Sequence, residues 1–312
     1  MNKLLILAAD AAKYSELIKA ADLQQLEICS TDDRVTAQAL IDGYNIILGD
    51  PDLVSEALGS AKQLEWVQSC WAGVDRLCRP GLRQDYVLTG AKDIFGPLIS
   101  EYVMTYLFAL ERRVFSMRSN QLKQHWKPLP YRPAREITLG IVGLGSIGQH
   151  LARTARFFGL RVIGLNRSGS ACEDVDKVYV KDDLAGFFQE LDYIVLTLPD
   201  TSGTRHFINA GVLELMKPSA VLINVGRGAI INEADLVDAL RDGIIGGAVL
   251  DVFTNEPLPR DNPLWTMPGV YITPHNAATS FIEDIVGIFI KNYGRFLRGE
   301  NLQYVVDFEL GY

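Results

Sequence analysis

Short apolar runs recur through the first ninety or so residues, each followed by a polar, helix-forming stretch. Leu4, Leu5, Ile6, Leu7, Ala8 and Ala9 open the series, and residues 46–49, 64–68 and 86–89 continue it. The stretches between them are rich in Ala, Leu and Glu, and residues 15–20 read as part of a helix. Strands this short alternating with helices predict a parallel sheet covered on both faces. From residue 97 to about 124 the pattern becomes that of one long helix. Pro97 suits a first turn, and Tyr102, Leu107, Leu110 and Val114 recur at helical spacing. The connector that follows, residues 125–133, contains Pro128, Pro130 and Pro133, which end the helix and stiffen the chain. A domain boundary is expected near this helix. Then the alternation resumes, with strands predicted at 138–142, 161–165, 193–198, 220–225, 247–250 and 270–272. A last helix, 281–298, returns to the N-terminal part if the first domain is discontinuous. No internal repeat or low-complexity tract is present.

Length and composition narrow the class. A chain of 312 residues fits two domains with sizeable cores. With 48% hydrophobic and 22% charged residues, the composition is that of a soluble globular protein. No apolar run reaches the ~18 residues of a membrane span, and the first run follows one lysine and is short for a signal-peptide core. A cytoplasmic location is therefore expected. The net charge of −8, with no Lys/Arg block, argues against a nucleic-acid surface. It also means that an anionic ligand would need a local positive site. Cys29, Cys70, Cys78 and Cys172 form no CxxC pair and no zinc-spaced cluster, so four reduced thiols and no metal are expected.

Chemistry first enters at Gly143-Leu144-Gly145-Ser146-Ile147-Gly148, a GxGxxG match. Alone such a match is weak. Here a predicted strand precedes it and a helix over 149–157 follows, which is the βα turn of a dinucleotide site. Gly143 permits the tight turn, Gly145 a close approach of backbone to pyrophosphate, and Gly148 close packing of helix on strand. Ser146 and Ile147 open the helix, whose free N–H groups face the phosphates. About 20 residues on, an acid would hold the ribose 2′-hydroxyl of NAD. Asn166-Arg167-Ser168 stands there instead, offering donors and a guanidinium suited to a 2′-phosphate. NADP(H) is therefore favoured. NAD(H) stays open, because Arg167 also fits a solvated turn.

Three further segments place polar residues after predicted strands, at the carboxyl edge where open α/β sheets bind ligands. They are Asn224-Val225-Gly226-Arg227-Gly228, Leu250-Asp251-Val252-Phe253-Thr254-Asn255-Glu256-Pro257 and Thr273-Pro274-His275-Asn276-Ala277-Ala278. With the glycine loop, and in this order, they resemble the D-isomer-specific 2-hydroxyacid dehydrogenases over the whole second domain. Within that family, the runs HWKPLP and NEPLPRDNPLWTMPGVYITPH look most similar to glyoxylate/hydroxypyruvate reductases. The resemblance implies two Rossmann-like doubly wound parallel-sheet domains with the active site in the cleft between them. Residues 1–98 and 281–312 would form a flavodoxin-like substrate domain. Residues 99–280 would form the dinucleotide-binding domain, including the dimerisation helix and connector.

The residue chemistry agrees with the resemblance. A 2-oxo acid presents a carboxylate beside a ketone, and the Arg227 fork can grip both. Protonated His275 can donate to the ketone oxygen as hydride arrives. Glu256 can orient the imidazole and raise its pKa. Taken singly, Arg227 also fits a sheet-edge salt bridge, Glu256 a solvated turn and His275 a cap or core histidine. His125, His150 and His206 read as structural or solvated.

The resemblance further implies that Ala72, Gly73 and Val74, after a predicted strand, bind the substrate carboxylate through backbone N–H groups. Trp71 stands where many relatives have glycine, and either narrows the pocket or packs in the core. Cofactor contacts carry over to Leu198 and Pro199 near the adenine, Thr204 near the phosphates, and Val225 and Gly226 beside the nicotinamide ribose. Asp251 would accept from the carboxamide, unless it caps its strand, and Ala277 and Ala278 complete the set.

The expected function is reduction of a small 2-oxo acid, glyoxylate or hydroxypyruvate, by NADPH or NADH. A dehydrogenase of another D-2-hydroxy acid, branched or phosphoglycerate-like, is the neighbouring alternative. A cofactor-sensing binding protein on the same fold is the alternative of a different class. No appended regulatory domain is visible, which disfavours phosphoglycerate. Tyr102, Tyr106, Leu107, Phe108 and Leu110 make the long helix apolar around much of its girth, so a homodimer is expected, with Trp126 beside its interface; the other reading is a helix buried between the chain's own two domains, with Trp126 on the surface.

Overall fold

The apolar runs form two sheets in which every strand pairing is parallel. The structure, a computed structural model, describes residues 1–311. The chain divides into one unit of Met1–Ile94 plus the stretch from Ser280 onward, and a second of Phe95–Thr279.

In the first unit, β1 (Asn2–Leu7), β2 (Leu26–Thr31), β3 (Ile46–Gly49), β4 (Trp66–Ser69) and β5 (Val87–Thr89) lie in the order β2-β1-β3-β4-β5. Leu5, Leu7, Ile47, Val67 and Leu88 anchor its core. The helix Ile282–Leu297 returns to this unit, which is therefore discontinuous. Phe289 stacks on Trp66 at 5.2 Å, and buried Asn292 donates to Gln68 Oε1 at 3.2 Å. The strand β2 lies outside the sequence expectation. It is an edge strand, half-buried and carrying Glu27, Ser30 and Thr31, so it lacks the apolar signature of a central strand.

The second unit contains β6 (Thr138–Val142), β7 (Arg161–Leu165), β8 (Lys177–Tyr179), β9 (Tyr193–Leu196), β10 (Val221–Asn224), β11 (Gly247–Leu250) and β12 (Val270–Ile272). Their order is β12-β11-β10-β9-β6-β7-β8. The strand order reverses between β6 and β9, which creates a crevice at their carboxyl ends. Leu196, Leu222, Ala248 and Leu250 lie in the core on which these loops are mounted. The short edge strand β8 was also beyond reach of the apolar pattern.

The expected single helix over 97–124 is two, Phe95–Glu111 and Val114–Leu122, broken where Arg113 takes φ +56°. Tertiary contacts crowd this break. Glu111 is buried at the end of the first helix, with Arg132 at 2.6 Å and the Tyr193 hydroxyl at 3.0 Å. Arg132 also reaches Asp192 at 3.0 Å, and Lys217 reaches it at 3.2 Å. A buried carboxylate must keep such partners, and none of them lies near Glu111 in sequence.

The helix is also less of a free apolar surface than its composition suggested. Ile99, Val103, Met104 and Leu107 are buried. The Tyr102 hydroxyl reaches Thr273 at 2.7 Å, and the Phe108 ring packs on Phe158 at 5.1 Å. Large exposed apolar side chains lie further on, at Leu122, Trp126 and Phe157, with Trp126 98% exposed. The four cysteines are free thiols. Among the described residues, no helix is long and apolar enough to cross a membrane.

Candidate active site

The carboxyl edge of the second sheet gathers six loops that carry the candidate residues. After β6, Gly143 takes φ +105°, a left-handed conformation open to glycine, and its carbonyl accepts from Thr197 Oγ1 at 2.8 Å. The helix starts at Ser146, three residues earlier than expected. A Cβ on Gly148 would run into the Gly143 carbonyl, so the helix packs tightly against the turn. Nothing of the protein lies within 4 Å of where a Gly145 Cβ would stand, and no side chain caps the helix. The space over Gly145 and the free N–H groups of the first turn therefore suit a phosphate group.

After β7, Asn166 and Ser168 line a hollow of about 350 Å³ with Leu144, Gln149, Ser170 and Glu173; Arg167, between them in the chain, is not part of its lining. The Asn166 amide is committed to the loop itself: Oδ1 accepts the Gly169 N–H at 2.6 Å and Nδ2 donates to the Ser170 carbonyl at 3.0 Å. Ser168 Oγ donates to Ser170 Oγ at 2.9 Å. Arg167 is exposed, and its guanidinium has no side-chain hydrogen bond or ion pair among the described residues. Asn166 thus shapes a loop that presents Arg167 and the two serines.

After β9, Thr204 Oγ1 donates to the Pro199 carbonyl at 2.6 Å and accepts from the Thr201 N–H at 2.9 Å, which folds the loop beyond Leu198 back on itself. After β10, fully buried Asn224 accepts from the Gly226 N–H at 3.1 Å and donates to the Arg227 carbonyl at 2.9 Å. This staple fixes the turn from Val225 to Arg227. A Cβ on Gly228 would collide with the Phe253 backbone, so the loops after β10 and β11 touch here. Half-buried Arg227 donates to the Gly226 carbonyl at 2.7 Å.

The loops after β11 and β12 bring Glu256 and His275 together. Glu256 Oε2 lies 2.7 Å from His275 Nδ1, and Oε1 accepts the Phe253 N–H at 2.8 Å. The hydrogen bond to Glu256 raises the His275 pKa; burial opposes it, the Glu256 charge adds to it, and Arg227 pulls the other way. For Glu256, burial pushes the carboxyl up, but the bonds from His275 and Phe253 outweigh it and the net shift is downward. The pair thus favours imidazolium beside carboxylate, with His275 Nε2 left to act.

The Asp251 carboxylate, 2% exposed, is engaged by the turn that carries His275. Oδ1 accepts from Thr273 Oγ1 at 2.5 Å and from the Asn276 N–H at 2.9 Å, and Oδ2 accepts the Ala277 N–H at 3.0 Å. Ala277 is buried and Ala278 half-buried behind it. Thr273 and Tyr102, which join this network, were not singled out as site residues from the sequence. Thr273 sits in the same short segment as His275, but Tyr102 is 171 positions away from Thr273 and carries no local signal. The other histidines lie elsewhere. His125 and His206 are exposed, and His150 Nδ1 lies 2.8 Å from Ser100 Oγ between two helices.

The first unit has a feature of its own after β4. The N–H groups of Ala72, Gly73 and Val74 have no hydrogen-bond acceptor among the described residues, so three successive donors stand ready for an anion. Trp71 is 49% exposed, not in the core, and its Nε1 donates to Asp50 Oδ1 at 2.8 Å. Among the described residues, no group of three or more His, Cys, Asp or Glu is placed to hold a metal ion.

Comparison with known proteins is consistent with this arrangement. Residues 104–277 match the family model of the D-isomer specific 2-hydroxyacid dehydrogenase, NAD binding domain. A glyoxylate/hydroxypyruvate reductase A of Photorhabdus laumondii is 33% identical over 217 residues, covering 70% of this chain and 69% of the relative. The structure is similar to that of a D-isomer specific 2-hydroxyacid dehydrogenase family protein from Aeromonas salmonicida, at 45% identity and TM-score 0.94, covering 98% of this chain and 99% of the other. It is also similar to an NADPH-dependent glyoxylate/hydroxypyruvate reductase from Sinorhizobium meliloti in complex with NADP and sulfate, at 30% identity, TM-score 0.89 and full coverage of both chains, 100% each.

The Glu256–His275 pair predicts a titration. Replacing the carboxylate by an amide, Glu256→Gln, removes the charge that holds the imidazolium, so the His275 pKa falls and the ring loses its proton at lower pH. NMR titration of the His275 imidazole should show the midpoint moving down relative to wild type. An unchanged midpoint would contradict the electrostatic role of Glu256.

Proposed function

The chain belongs to the D-isomer-specific 2-hydroxyacid dehydrogenase family, and from that premise we propose that it reduces a small 2-oxo acid, glyoxylate or hydroxypyruvate, to the 2-hydroxy acid with NADPH. The observation that carries this reading is the 2.7 Å contact between His275 Nδ1 and Glu256 Oε2. The names of the relatives support the choice of acid.

His275, held by Glu256 through Nδ1, carries a proton at Nε2 for the ketone oxygen. Arg227 grips the substrate carboxylate and carbonyl with its fork. Ala72, Gly73 and Val74 offer N–H groups suited to a substrate carboxylate. The dinucleotide, when bound, supplies the hydride. The helix start at Gly145, Ser146, Ile147 and Gly148 would hold its pyrophosphate, with Thr204 near the phosphates. Arg167 and Ser168 would hold a 2′-phosphate on the loop braced by Asn166. Leu198 and Pro199 would take the adenine, and Val225, Gly226, Ala277 and Ala278 the nicotinamide side. Asp251 contributes by holding the turn of His275.

The same reading makes the protein a homodimer. Trp126, Leu122 and Phe157 are 98%, 69% and 85% exposed, and Phe115 and Met117 add to the apolar surface of their helix. These are large apolar side chains left in water, and a two-fold contact covers them with a second copy.

Steady-state assays with glyoxylate and hydroxypyruvate should show NADPH oxidation. His275→Ala should lower kcat by about 10² or more, the scale of a positioned general acid, with NADPH binding retained. NADPH binding without turnover of either acid would overturn this choice of substrate, and NADPH binding without turnover of any 2-oxo acid in a panel would favour the sensor alternative.

Arg167→Ala should raise the KM for NADPH and leave that for NADH nearly unchanged. Equal effects on both would show that Arg167 does not contact the 2′-phosphate.

Sedimentation at micromolar concentration should give a dimer-mass species. A single monomer-mass species would refute the dimer.

A further inference from the structure

His275 is held in an unfavourable conformation. Its φ is +52°, a left-handed value that a side chain bearing a Cβ seldom adopts. A residue there must be held by its surroundings. Asp251 does much of the holding: its carbonyl accepts the His275 N–H at 2.9 Å. Its two carboxylate oxygens accept the Asn276 and Ala277 N–H groups at 2.9 and 3.0 Å. Three consecutive backbone donors of the turn therefore converge on one buried residue.

Proton accounting extends this grip outward. The Asp251 carboxylate can only accept, so the contact at 2.5 Å is a donation from Thr273 Oγ1. Thr273 has one hydroxyl proton and has committed it. In the 2.7 Å contact with Tyr102 it must therefore accept, and the phenol of Tyr102 is the donor. The direction is fixed from Tyr102, on the helix Phe95–Glu111, through Thr273 to Asp251 and so to the turn of His275. The three donors on the carboxylate are neutral, so the negative charge near His275 is not cancelled by an adjacent cation. The charged groups that act on the imidazole are Glu256, Arg227 and Asp251.

We propose that Tyr102 and Thr273 are positioning residues for His275, acting through Asp251. The inference rests on His275 being the proton donor of the reaction. Neither residue needs to touch substrate. Each keeps the Asp251 carboxylate in the one orientation that receives both N–H groups of the turn, and thereby keeps His275 Nδ1 against Glu256.

The test compares Thr273→Val, Thr273→Ser, Tyr102→Phe and His275→Ala in the full chain. Thr273→Val strips a donor from a buried carboxylate and should lower kcat about tenfold, because small displacements of a catalytic group are expensive. Tyr102→Phe removes one neutral hydrogen bond and should lower kcat about threefold. Thr273→Ser keeps the hydroxyl and should restore kcat to near wild type. A His275 that drifts from Glu256 loses the partner that raises its pKa. The pH above which reduction fails should therefore move down in Thr273→Val and stay in place in Thr273→Ser. A general loss of folding would lower activity without moving that limb. Should Thr273→Val not fold, Tyr102→Phe, which keeps its ring, decides the matter by its kcat and pH profile. Wild-type kcat and an unmoved limb in Thr273→Val and Tyr102→Phe, beside an inactive His275→Ala, would overturn this inference and spare the assignment of His275. A near-normal His275→Ala would instead overturn the assignment and the inference with it.

Discussion

Parallel pairing is the constraint on which the second unit depends. Strands that all run one way must all end at one edge, so each loop that follows a strand arrives there whatever its distance in sequence. The order β12-β11-β10-β9-β6-β7-β8 then sets which loops are neighbours. Arg227, Glu256 and His275 follow β10, β11 and β12, three strands side by side, which at ~4.8 Å per strand span about 10 Å. The glycine loop and Leu198 follow β6 and β9, the two strands at the reversal. The glycine loop and the Arg227, Glu256 and His275 loops thus occupy adjoining stretches of one edge.

Buried carboxylates do the local work at both edges of this sheet, and the two edges use different partners. Before β9, Asp192 takes the Thr138 N–H at 2.8 Å together with cations from Arg132 and Lys217. That arrangement ties helix, strand and connector together with opposite charges. After β11, Asp251 takes two N–H groups and one hydroxyl, all neutral. A cation in that place would cancel a negative charge that raises the proton affinity of His275. Neutral donors satisfy the buried acid and leave its field intact. Arg227 is the counterweight, pulling the same imidazole down.

The sequence was most legible where a residue type has few physical uses. Gly143 and Gly148 sit where the turn needs a positive φ or a close approach. Arg227, Glu256 and His275 follow short apolar runs, which implies a strand end. The central strands showed because both their faces are buried and their residues are uniformly apolar. The edge strands β2 and β8 did not, since they carry Glu27, Ser30 or Lys177 on the side that meets water, whereas the edge strands β5 and β12 stay mostly apolar. The break after Glu111 was hidden for a related reason. Helical periodicity continues through Arg112 and Arg113, and the first helix ends beside a buried ion pair of Glu111 with Arg132 that the pattern does not show.

By itself, then, the sequence determined the alternation of strands and helices and the strand ends after which Arg227, Glu256 and His275 stand. These are properties of single residues and their near neighbours. Tertiary structure decided how those residues are used: that Asn166 braces its loop, that Trp71 stands half-exposed on Asp50, that Asp251 holds the turn of His275, and that Tyr102 completes that hold. Each of these depends on which of a polar group's few hydrogen-bonding positions is already occupied, and the occupants come from chain segments that only folding brings within about 3 Å.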